Sequence, residues 1–394
     1  MINHRSLKFT ELLRDCERGL QWALGTDNDV LIFPSSGTGA MEATVANLIS
    51  PGDHLLVCSV GWFGELWGDI AASYGAHVIR LRSPWGQAID PHALEAALVA
   101  NPRAGTVFVT HNETSTGVTN DLRILAPIVK RHGRLLAVDA IGGAACLPLA
   151  IDELGLDVVV MASQKGWLSP PGLSMVAVSS HALQLARMSG SPRWYLDFHR
   201  QRHAQHNGST HTTPALAVMY ALAEGLAMLR EEGKEAVWAR HRRIAGMIRS
   251  GLELLELELF ADNSCRSDSV TAVRSPFDSA DQLTAFVRDL DRQQHLVLAN
   301  GHGPLRGNIF RVGHMGMIDE QDAQAILQRI ARVLRSWPDR STRPASPRDL
   351  GQTATTTPYM LSNASQTAEP NVCYGCEPAG AHHATFGGDA AHPT

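Results

Sequence analysis

The chain has no apolar run long enough to cross a membrane and no long run of like charge. A membrane helix needs about 18 or more consecutive apolar residues, so we expect no membrane span. The 34 basic and 39 acidic residues are interspersed and give a net charge of -5, which leaves no basic footprint for nucleic acid. Residues 1–19 also lack the apolar core of a secretory signal. These absences predict a cytoplasmic protein that acts on a small anionic or zwitterionic molecule.

Cysteine is scarce and scattered. The six cysteines are Cys16, Cys58, Cys146, Cys265, Cys373 and Cys376. They form no framework of regular spacings, so we expect reduced thiols and no disulfides. The last two form a single C-x-x-C pair without a second pair at metal-binding distance. We therefore predict that the chain holds no metal.

Short apolar runs alternate with helical stretches through the first half of the chain. Strands are predicted at 30–33, 54–59, 77–81, 106–110, 135–139, 158–162 and 174–179, and helices at 39–49, 64–74, 91–100 and 122–132. This alternation predicts an α/β fold with a mostly parallel seven-stranded sheet. Two long helices follow, at 214–232 and 234–255, broken at Gly233.

The remainder of the chain divides into two parts of different composition. Residues 234–337 read as a smaller C-terminal α+β domain, with strands at 257–260, 270–274, 296–299 and 309–312 and helices at 281–292 and 320–337. Residues 338–394 contain few large apolar residues, so we expect a disordered tail. The predicted organisation is an N-terminal segment at 1–28, a large domain at 29–233, a small domain at 234–337 and the tail.

Two charged residues come at or just after strand ends of the large domain. Asp139 ends the run Leu135–Asp139, and Lys165 follows the strand predicted at 158–162. Parallel strands joined by a crossover end at the same edge of a sheet, so we expect these two side chains to meet. An amine that forms a Schiff base and a carboxylate that keeps a pyridine nitrogen protonated suit pyridoxal 5′-phosphate, PLP. A helix-capping aspartate and a solvated lysine are the alternative that the pair alone leaves open.

A glycine-rich turn follows the first strand and opens a helix. Residues 34–39 read Pro-Ser-Ser-Gly-Thr-Gly. Free backbone N–H groups and the helix dipole favour an anion at such a turn. The turn matches neither the dinucleotide nor the Walker pattern, so it predicts a site for one phosphate; a tight turn without a ligand is the alternative.

Other residues near the strand ends have the chemistry of a cofactor and substrate site. Trp62 and Phe63 follow the second strand, where a ring could stack on a flat pyridine or simply fill a core. Residues 110–117 are more polar than packing alone requires. Arg311 is a lone charge in an apolar strand, and it suits either a two-bond grip on a substrate carboxylate or pairing with an internal acid.

Taken together, these motifs resemble the class V aminotransferases of fold type I. Within that family, the sequence is similar to the alanine:glyoxylate and serine:pyruvate aminotransferases and their pyridoxamine:pyruvate relatives. The resemblance spans residues 1–337 and rests on the motifs at 35–43 (SSGTGAMEA), 111–117 (HNETSTG), 137–140 (AVDA), 163–165 (SQK) and 311–316 (RVGHMG).

The resemblance implies a role for each matching residue. Lys165 would be the Schiff-base lysine, Asp139 the partner of the pyridine nitrogen and Phe63 the stacking ring. The other implied contacts are Ser36, Gly37, Thr38 and Gln164 on the phosphate, Thr114 within reach of the ring, Ile141 beneath it, and Arg311 on the substrate carboxylate. In this family a second subunit completes the site, and Thr213 fits the phosphate ligand that crosses the interface. The tyrosine that often accompanies that ligand is absent from residues 209–213.

The implied activity is that of a homodimeric transaminase that moves an amino group from alanine or serine to glyoxylate or pyruvate. The alternatives are a PLP-dependent lyase or cysteine desulfurase, a pyridoxamine:pyruvate transaminase, and a non-catalytic binding protein on the same fold. Desulfurases of this superfamily normally stack a histidine on the ring and use a mobile cysteine, whereas this chain has Phe63, and Cys265 lies in no loop motif. Lys165, Asp139 and Arg311 together favour an enzyme.

Overall fold

The computed structural model of the chain describes residues 2–337. Its helices are α1 (Leu7–Leu24), α2 (Gly37–Leu48), α3 (Trp62–Ser73), α4 (Pro91–Ala100), α5 (Leu122–Arg131), α6 (Ile151–Leu154), α7 (Ser180–Ala186), α8 (Phe198–His206), α9 (Leu216–Glu232), α10 (Lys234–Leu254), α11 (Ala280–Gln294) and α12 (Glu320–Ser336). Its strands are β1 (Asp29–Phe33), β2 (His54–Ser59), β3 (His77–Arg82), β4 (Ala104–Thr110), β5 (Asn112–Glu113), β6 (Val118–Thr119), β7 (Leu135–Asp139), β8 (Val158–Ala162), β9 (Ser174–Val178), β10 (Val270–Arg274), β11 (Ala299–Asn300) and β12 (Ile309–Gly313).

Seven strands form the central sheet, in the order β1-β9-β8-β7-β4-β2-β3. β9 is antiparallel to both of its neighbours, and the remaining pairs are parallel, which confirms the predicted mostly parallel seven-stranded sheet. Successive residues of β7 point into two different apolar cores: Leu136 and Val138 pack on one face, and Leu135 and Ala137 on the other. A strand buried on both faces needs an unbroken apolar run, and this requirement made the strand recognisable in the sequence.

The carboxyl ends of the middle strands meet at one edge of this sheet. Thr110 at the end of β4 is opposite Asp139 at the end of β7, and Asp139 is opposite Val160 of β8. The polar segment 110–117 forms the β5–β6 hairpin just beyond β4. The topology therefore gathers three of the predicted site segments at a single edge.

A smaller antiparallel sheet, ordered β10-β12-β11, follows α10. Helices α10, α11 and α12 contribute apolar side chains to its core. Two strand predictions in this part were wrong. Residues 257–260 form only an isolated bridge between Leu259 and Val273, and the segment predicted at 296–299 is paired only as β11. Leu296 and Leu298 are buried and Val297 is exposed, so their alternation reflects burial of an extended segment that mostly lacks a strand partner.

Helices α1, α6, α7 and α8 were not predicted from the sequence pattern, and the structure adds all four to the predicted set. No helix within residues 2–337 is both long and apolar enough to span a membrane. The four-part division of the chain stays a prediction. The predicted tail, with Cys373 and Cys376, lies outside the described residues.

Candidate active site

Asp139 is a buried acid with few partners. Its side chain is 3% exposed, and within residues 2–337 its only hydrogen bond is accepted from the N–H of Ile141, at 2.9 Å. Burial raises the pKa of Asp139 to about 7; the nearby Glu113 adds to this rise, while Ile141 and Lys165 oppose it. The position therefore favours a ligand that brings positive charge or a proton to the carboxylate.

Lys165 lies near Asp139, on the turn after β8. Burial lowers the pKa of its amine, the charge of Arg311 lowers it further, and Asp139 acts in the opposite direction. The hydroxyl of Ser163 donates to the carbonyl of Pro170 and accepts from the N–H of Leu173, which fixes the loop that carries the lysine. A lysine with a lowered pKa is more often unprotonated, and it is then a better nucleophile.

The glycine-rich turn lies against the same edge. Ser36 caps α2 by accepting a hydrogen bond from the N–H of Gly39 at 3.4 Å. A Cβ atom at Gly37 would lie 2.7 Å from Cδ1 of Ile141 and 3.3 Å from Cβ of Ala162, so the turn packs directly beside the ends of β7 and β8. The first N–H groups of a helix have no intrahelical acceptor, which leaves those of Gly37 and Thr38 for an anion.

Glu113 holds the start of α3 and thereby Phe63. One carboxylate oxygen accepts from the N–H groups of Phe63 and Gly64, and the other accepts from the N–H and hydroxyl of Ser115. Burial raises the pKa of Glu113, and these four donors oppose the rise. No role for Glu113 was predicted from the sequence. Its only signal was an acid within a polar segment at a strand end.

Arg311 is a buried cation that has only uncharged acceptors. Nε donates to the carbonyl of Asn300 at 3.0 Å, and Nη1 donates to the carbonyl of Thr114 at 2.9 Å. The third contact joins Nη2 to Nε2 of His302 at 3.1 Å. No acidic side chain of residues 2–337 lies within ion-pair distance of it, so the alternative of an internal partner is not what the structure shows. A buried guanidinium without a counterion marks a site for an anion.

The predicted site residues fall into two groups. The structure gathers Asp139, Lys165, Ile141 and the turn residues Ser36, Gly37 and Thr38 at the sheet edge. It also ties Phe63 to Glu113 and joins Thr114 to Arg311 by a hydrogen bond. Gln164 and Thr213 are exposed, and no hydrogen bond within the described residues connects either to this group. No set of three or more histidine, cysteine, aspartate or glutamate side chains in residues 2–337 is arranged to hold a metal ion.

These residues fit PLP in their chemistry. The buried Asp139 lacks a cation that a protonated ring nitrogen would supply, Lys165 offers an amine of lowered pKa, and the α2 N-terminus offers N–H groups for a phosphate. A mostly parallel sheet with such side chains at its carboxyl edge is the architecture of fold-type I PLP-dependent transferases. Residues 1–303 match the family model described as aminotransferase class V. The chain belongs to that family and is an aminotransferase.

Several known proteins are similar to this chain over most of its length. It is 38% identical over 336 residues to a soluble hydrogenase small subunit of Synechococcus sp., covering 84% of this chain and 87% of the relative. It is 34% identical over 332 residues to a serine–glyoxylate aminotransferase of Methylorubrum extorquens, covering 81% of each. The solved structure of an alanine–glyoxylate aminotransferase from Nostoc sp. matches with a TM-score of 0.81 at 29% identity, covering 85% of this chain and 89% of that one.

Proposed function

We propose that this chain is a PLP-dependent transaminase that moves an amino group from alanine or serine to glyoxylate or pyruvate. The observation that carries the proposal is the position of Lys165 close to two other groups. The buried acid Asp139 and the guanidinium of Arg311, which has no acidic partner, both affect the pKa of its amine. Lys165 and Asp139 suit the cofactor, and Arg311 suits a substrate carboxylate. Two of the similar proteins are named for transamination of serine or alanine with glyoxylate, which supports these substrates.

PLP, when bound, supplies an electron sink for the electron pair left behind when the substrate loses its α-proton. Asp139 would keep its negative charge for a protonated ring nitrogen, and Lys165 would take the proton from the substrate α-carbon and deliver it to the cofactor carbon to which the amino group is transferred. Arg311 orients the substrate carboxylate through a two-bond contact. Phe63 would cover the ring and exclude water.

The remaining contacts of the proposed site lie around these groups. Ser36, Gly37, Thr38 and Gln164 would hold the phosphate, Ile141 would pack beneath the ring, and Thr114 would lie beside it. The start of α2 supports the phosphate position, because its N–H groups lie next to Ile141 at the sheet edge. Gln164 is exposed on the turn before Lys165.

We further propose a homodimer in which Thr213 contacts the cofactor phosphate of the partner subunit. Thr213 is exposed, three residues before the start of α9. Large exposed side chains flank it in sequence: Trp194 is 62% exposed, Tyr195 46% and Tyr220 45%. The ring of Trp194 lies 5.5 Å from that of His211, two residues before Thr213, and exposed aromatic rings that form one patch are typical of an association surface. Light scattering should give twice the monomer mass, and a monomer that is fully active would contradict the proposal.

The desulfurase alternative requires a mobile cysteine nucleophile. Cys265 is buried, its thiol lies 3.6 Å from the carbonyl of Gly86 as a hydrogen-bond donor, and burial raises its pKa. A buried thiol of raised pKa is a poor nucleophile. The structure thus favours transamination over desulfuration.

The decisive experiment uses purified protein loaded with PLP. A visible absorption band that disappears on borohydride reduction, with the added mass located on Lys165 by peptide mapping, would identify the lysine. Half-reactions with alanine, serine, pyridoxamine and cysteine then separate the candidate reactions. Oxoacid formation from alanine or serine is the expected result. Sulfide release from cysteine, or a loaded protein that reacts with none of these amines, would overturn the proposal.

A further inference from the structure

His302 lies where the three-stranded sheet meets the start of α3. It follows β11 in the segment that leads to β12, and its ring stacks on Trp62 with centroids 6.4 Å apart. Its edge also contacts Phe63, at 5.4 Å and an interplanar angle of 79°. The backbone of the same segment touches Trp62, because a Cβ atom at Gly303 would fall 2.4 Å from that ring. His302 therefore packs on the residue proposed to cover the cofactor.

The contact between His302 and Arg311 fixes the protonation state of the imidazole. Nη2 of Arg311 lies 3.1 Å from Nε2 of His302, and a guanidinium can only donate hydrogen bonds. Nε2 must therefore be the acceptor, and the ring is neutral with its proton on Nδ1. Burial and the charges of Arg311 and Lys165 agree with this assignment, since they lower the pKa of His302 to about 4.

The hydrogen bonds of Arg311 can be counted against its five N–H groups. Asn300, Thr114 and His302 each take one, on Nε, Nη1 and Nη2 in turn. One N–H remains on each of the two terminal nitrogens, and such a pair is the fork that a carboxylate accepts. Without an acceptor at residue 302, Nη2 would have two free N–H groups, and the guanidinium would be held only by its bonds to the carbonyls of Asn300 and Thr114.

We propose that His302 is a positioning residue that fixes the guanidinium of Arg311 for the carboxylate shared by the amino acid and the oxoacid. It also ties Arg311 to the aromatic wall of Trp62 and Phe63. The inference rests on the proposed transaminase function and extends it to a residue outside the predicted site. The proposed role requires a neutral hydrogen-bond acceptor at position 302, and this acceptor need not be an imidazole.

A matched pair of substitutions tests this requirement. Gln and Leu have similar size, but only the Gln side chain can accept a hydrogen bond. His302→Leu should raise the KM for alanine and for glyoxylate about ten-fold, with kcat within about three-fold of wild type, because a hydrogen bond to a charged group is lost. His302→Gln should keep KM within about three-fold of the wild-type value. His92→Leu, at an exposed histidine of α4, is the control for loss of an imidazole elsewhere.

A binding measurement separates this inference from the proposed function. Acetate carries the carboxylate without the amine, and its dissociation constant from the PLP-loaded protein can be measured by calorimetry without turnover. It should rise about ten-fold in His302→Leu and stay near wild type in His302→Gln. If wild-type protein binds acetate but transfers no amino group, the proposed function fails while the role of His302 is still decided. Equal weakening in both variants, or no weakening in His302→Leu, would overturn the inference.

Discussion

The central sheet buries one aspartate where its parallel strands begin, the amino edge, and another where they end, the carboxyl edge. The two side chains have very different surroundings. Asp157 precedes β8 at the amino edge; it accepts hydrogen bonds from Nζ of Lys130 at 2.7 Å and from the N–H of Leu136 at 2.8 Å. Asp139 ends β7 at the carboxyl edge and accepts only from the N–H of Ile141 within the described residues. Both are almost fully buried, so burial alone does not distinguish them.

The difference separates a structural acid from one available to a ligand. At the amino edge the chain supplies its own cation, and the carboxylate connects β7, β8 and α5. At the carboxyl edge the cation that acts on Asp139 is Lys165, which forms no ion pair with it and whose own pKa is lowered by burial and by Arg311. A bound ligand can change the pKa of an acid that has so few partners. Residues that bind cofactors or take part in catalysis commonly have this property.

Replacing the lysine near each aspartate should give the largest contrast. Lys165→Ala should lower transaminase activity by about 10⁴-fold or more, because the nucleophile and the proton carrier are lost together. Its melting temperature should stay near wild type, since no hydrogen bond of its side chain holds the described fold. Activity with alanine and glyoxylate and a thermal melt are the measurements.

Lys130→Ala is the matched control at the opposite edge. It removes the ion pair with Asp157, so it should lower the free energy of unfolding while leaving activity at 25 °C unchanged. A Lys165→Ala protein that retains turnover would show that this lysine is not the reacting amine.

Replacing the aspartates should give the same contrast between lost activity and lost stability, with a smaller effect on activity than replacing Lys165. Asp139→Asn should lower kcat by about 10² to 10⁴-fold, because an amide cannot keep a ring nitrogen protonated. Asp157→Asn should lower the free energy of unfolding by about 1 to 3 kcal/mol, since the buried N–H of Leu136 and the Lys130 amine lose a charged acceptor. Steady-state kinetics and urea unfolding of both variants give the comparison. Similar activity losses in the two variants would mean that Asp139 is only a structural residue.

Arg311 allows a third and milder contrast, with Arg274 on the neighbouring strand β10. Arg274 pairs with the carboxylate of Glu258 at 2.7 Å, whereas Arg311 has three uncharged acceptors. Arg311→Lys should raise KM for alanine about ten-fold to a hundred-fold, because an ammonium cannot form the two-bond contact of a guanidinium. Arg274→Lys should leave KM unchanged. Isopropylamine lacks the carboxylate, so an equal loss with this donor would mean that Arg311 only supports the fold.

The sequence predicted the sheet edge well because its signals are local. β7 and β8 are buried on both faces and therefore read as unbroken apolar runs, and the crossover rule then brings Asp139 and Lys165 together. The same signal failed at 257–260, where Leu257 and Leu259 are buried without forming a paired strand. Burial and strand pairing give the same alternation of residue types, so the pattern does not separate them.

Roles that depend on distant contacts were not predictable from the sequence. Glu113 gains its function from backbone groups of α3, 50 residues earlier, and His302 from rings even further away in the chain. For Gln164 and Thr213 the sequence motifs predict a contact that the structure does not show. The motifs assign both residues to the phosphate, although both are exposed and have no hydrogen bond to the site within residues 2–337. Their roles remain predictions that a cofactor-bound dimer would test.

The last predicted effect is the pH dependence of stability that Asp139 gives to the cofactor-free protein. Its pKa is about 7 in the folded protein, against about 3.9 for an unfolded chain. The folded state therefore holds this proton more tightly, and the stability that it contributes is present below about pH 4 and is lost as the pH rises through about 7. Buried histidines act in the opposite direction, because His111, His302 and His314 have lowered pKa values in the folded state.

Only the difference between wild type and Asp139→Asn isolates this contribution, since the histidines are common to both proteins. The free energy of unfolding of the wild type minus that of Asp139→Asn should fall by about 1.4 kcal/mol for each pH unit between about 5 and 7, because one proton is released on unfolding. Urea unfolding of the cofactor-free proteins at pH 5, 6, 7 and 8, followed by tryptophan fluorescence, measures it. If the difference in the free energy of unfolding between wild type and Asp139→Asn does not change with pH, Asp139 is ionised even without a cation beside it. The prediction that this carboxyl is protonated in the cofactor-free protein would then be wrong.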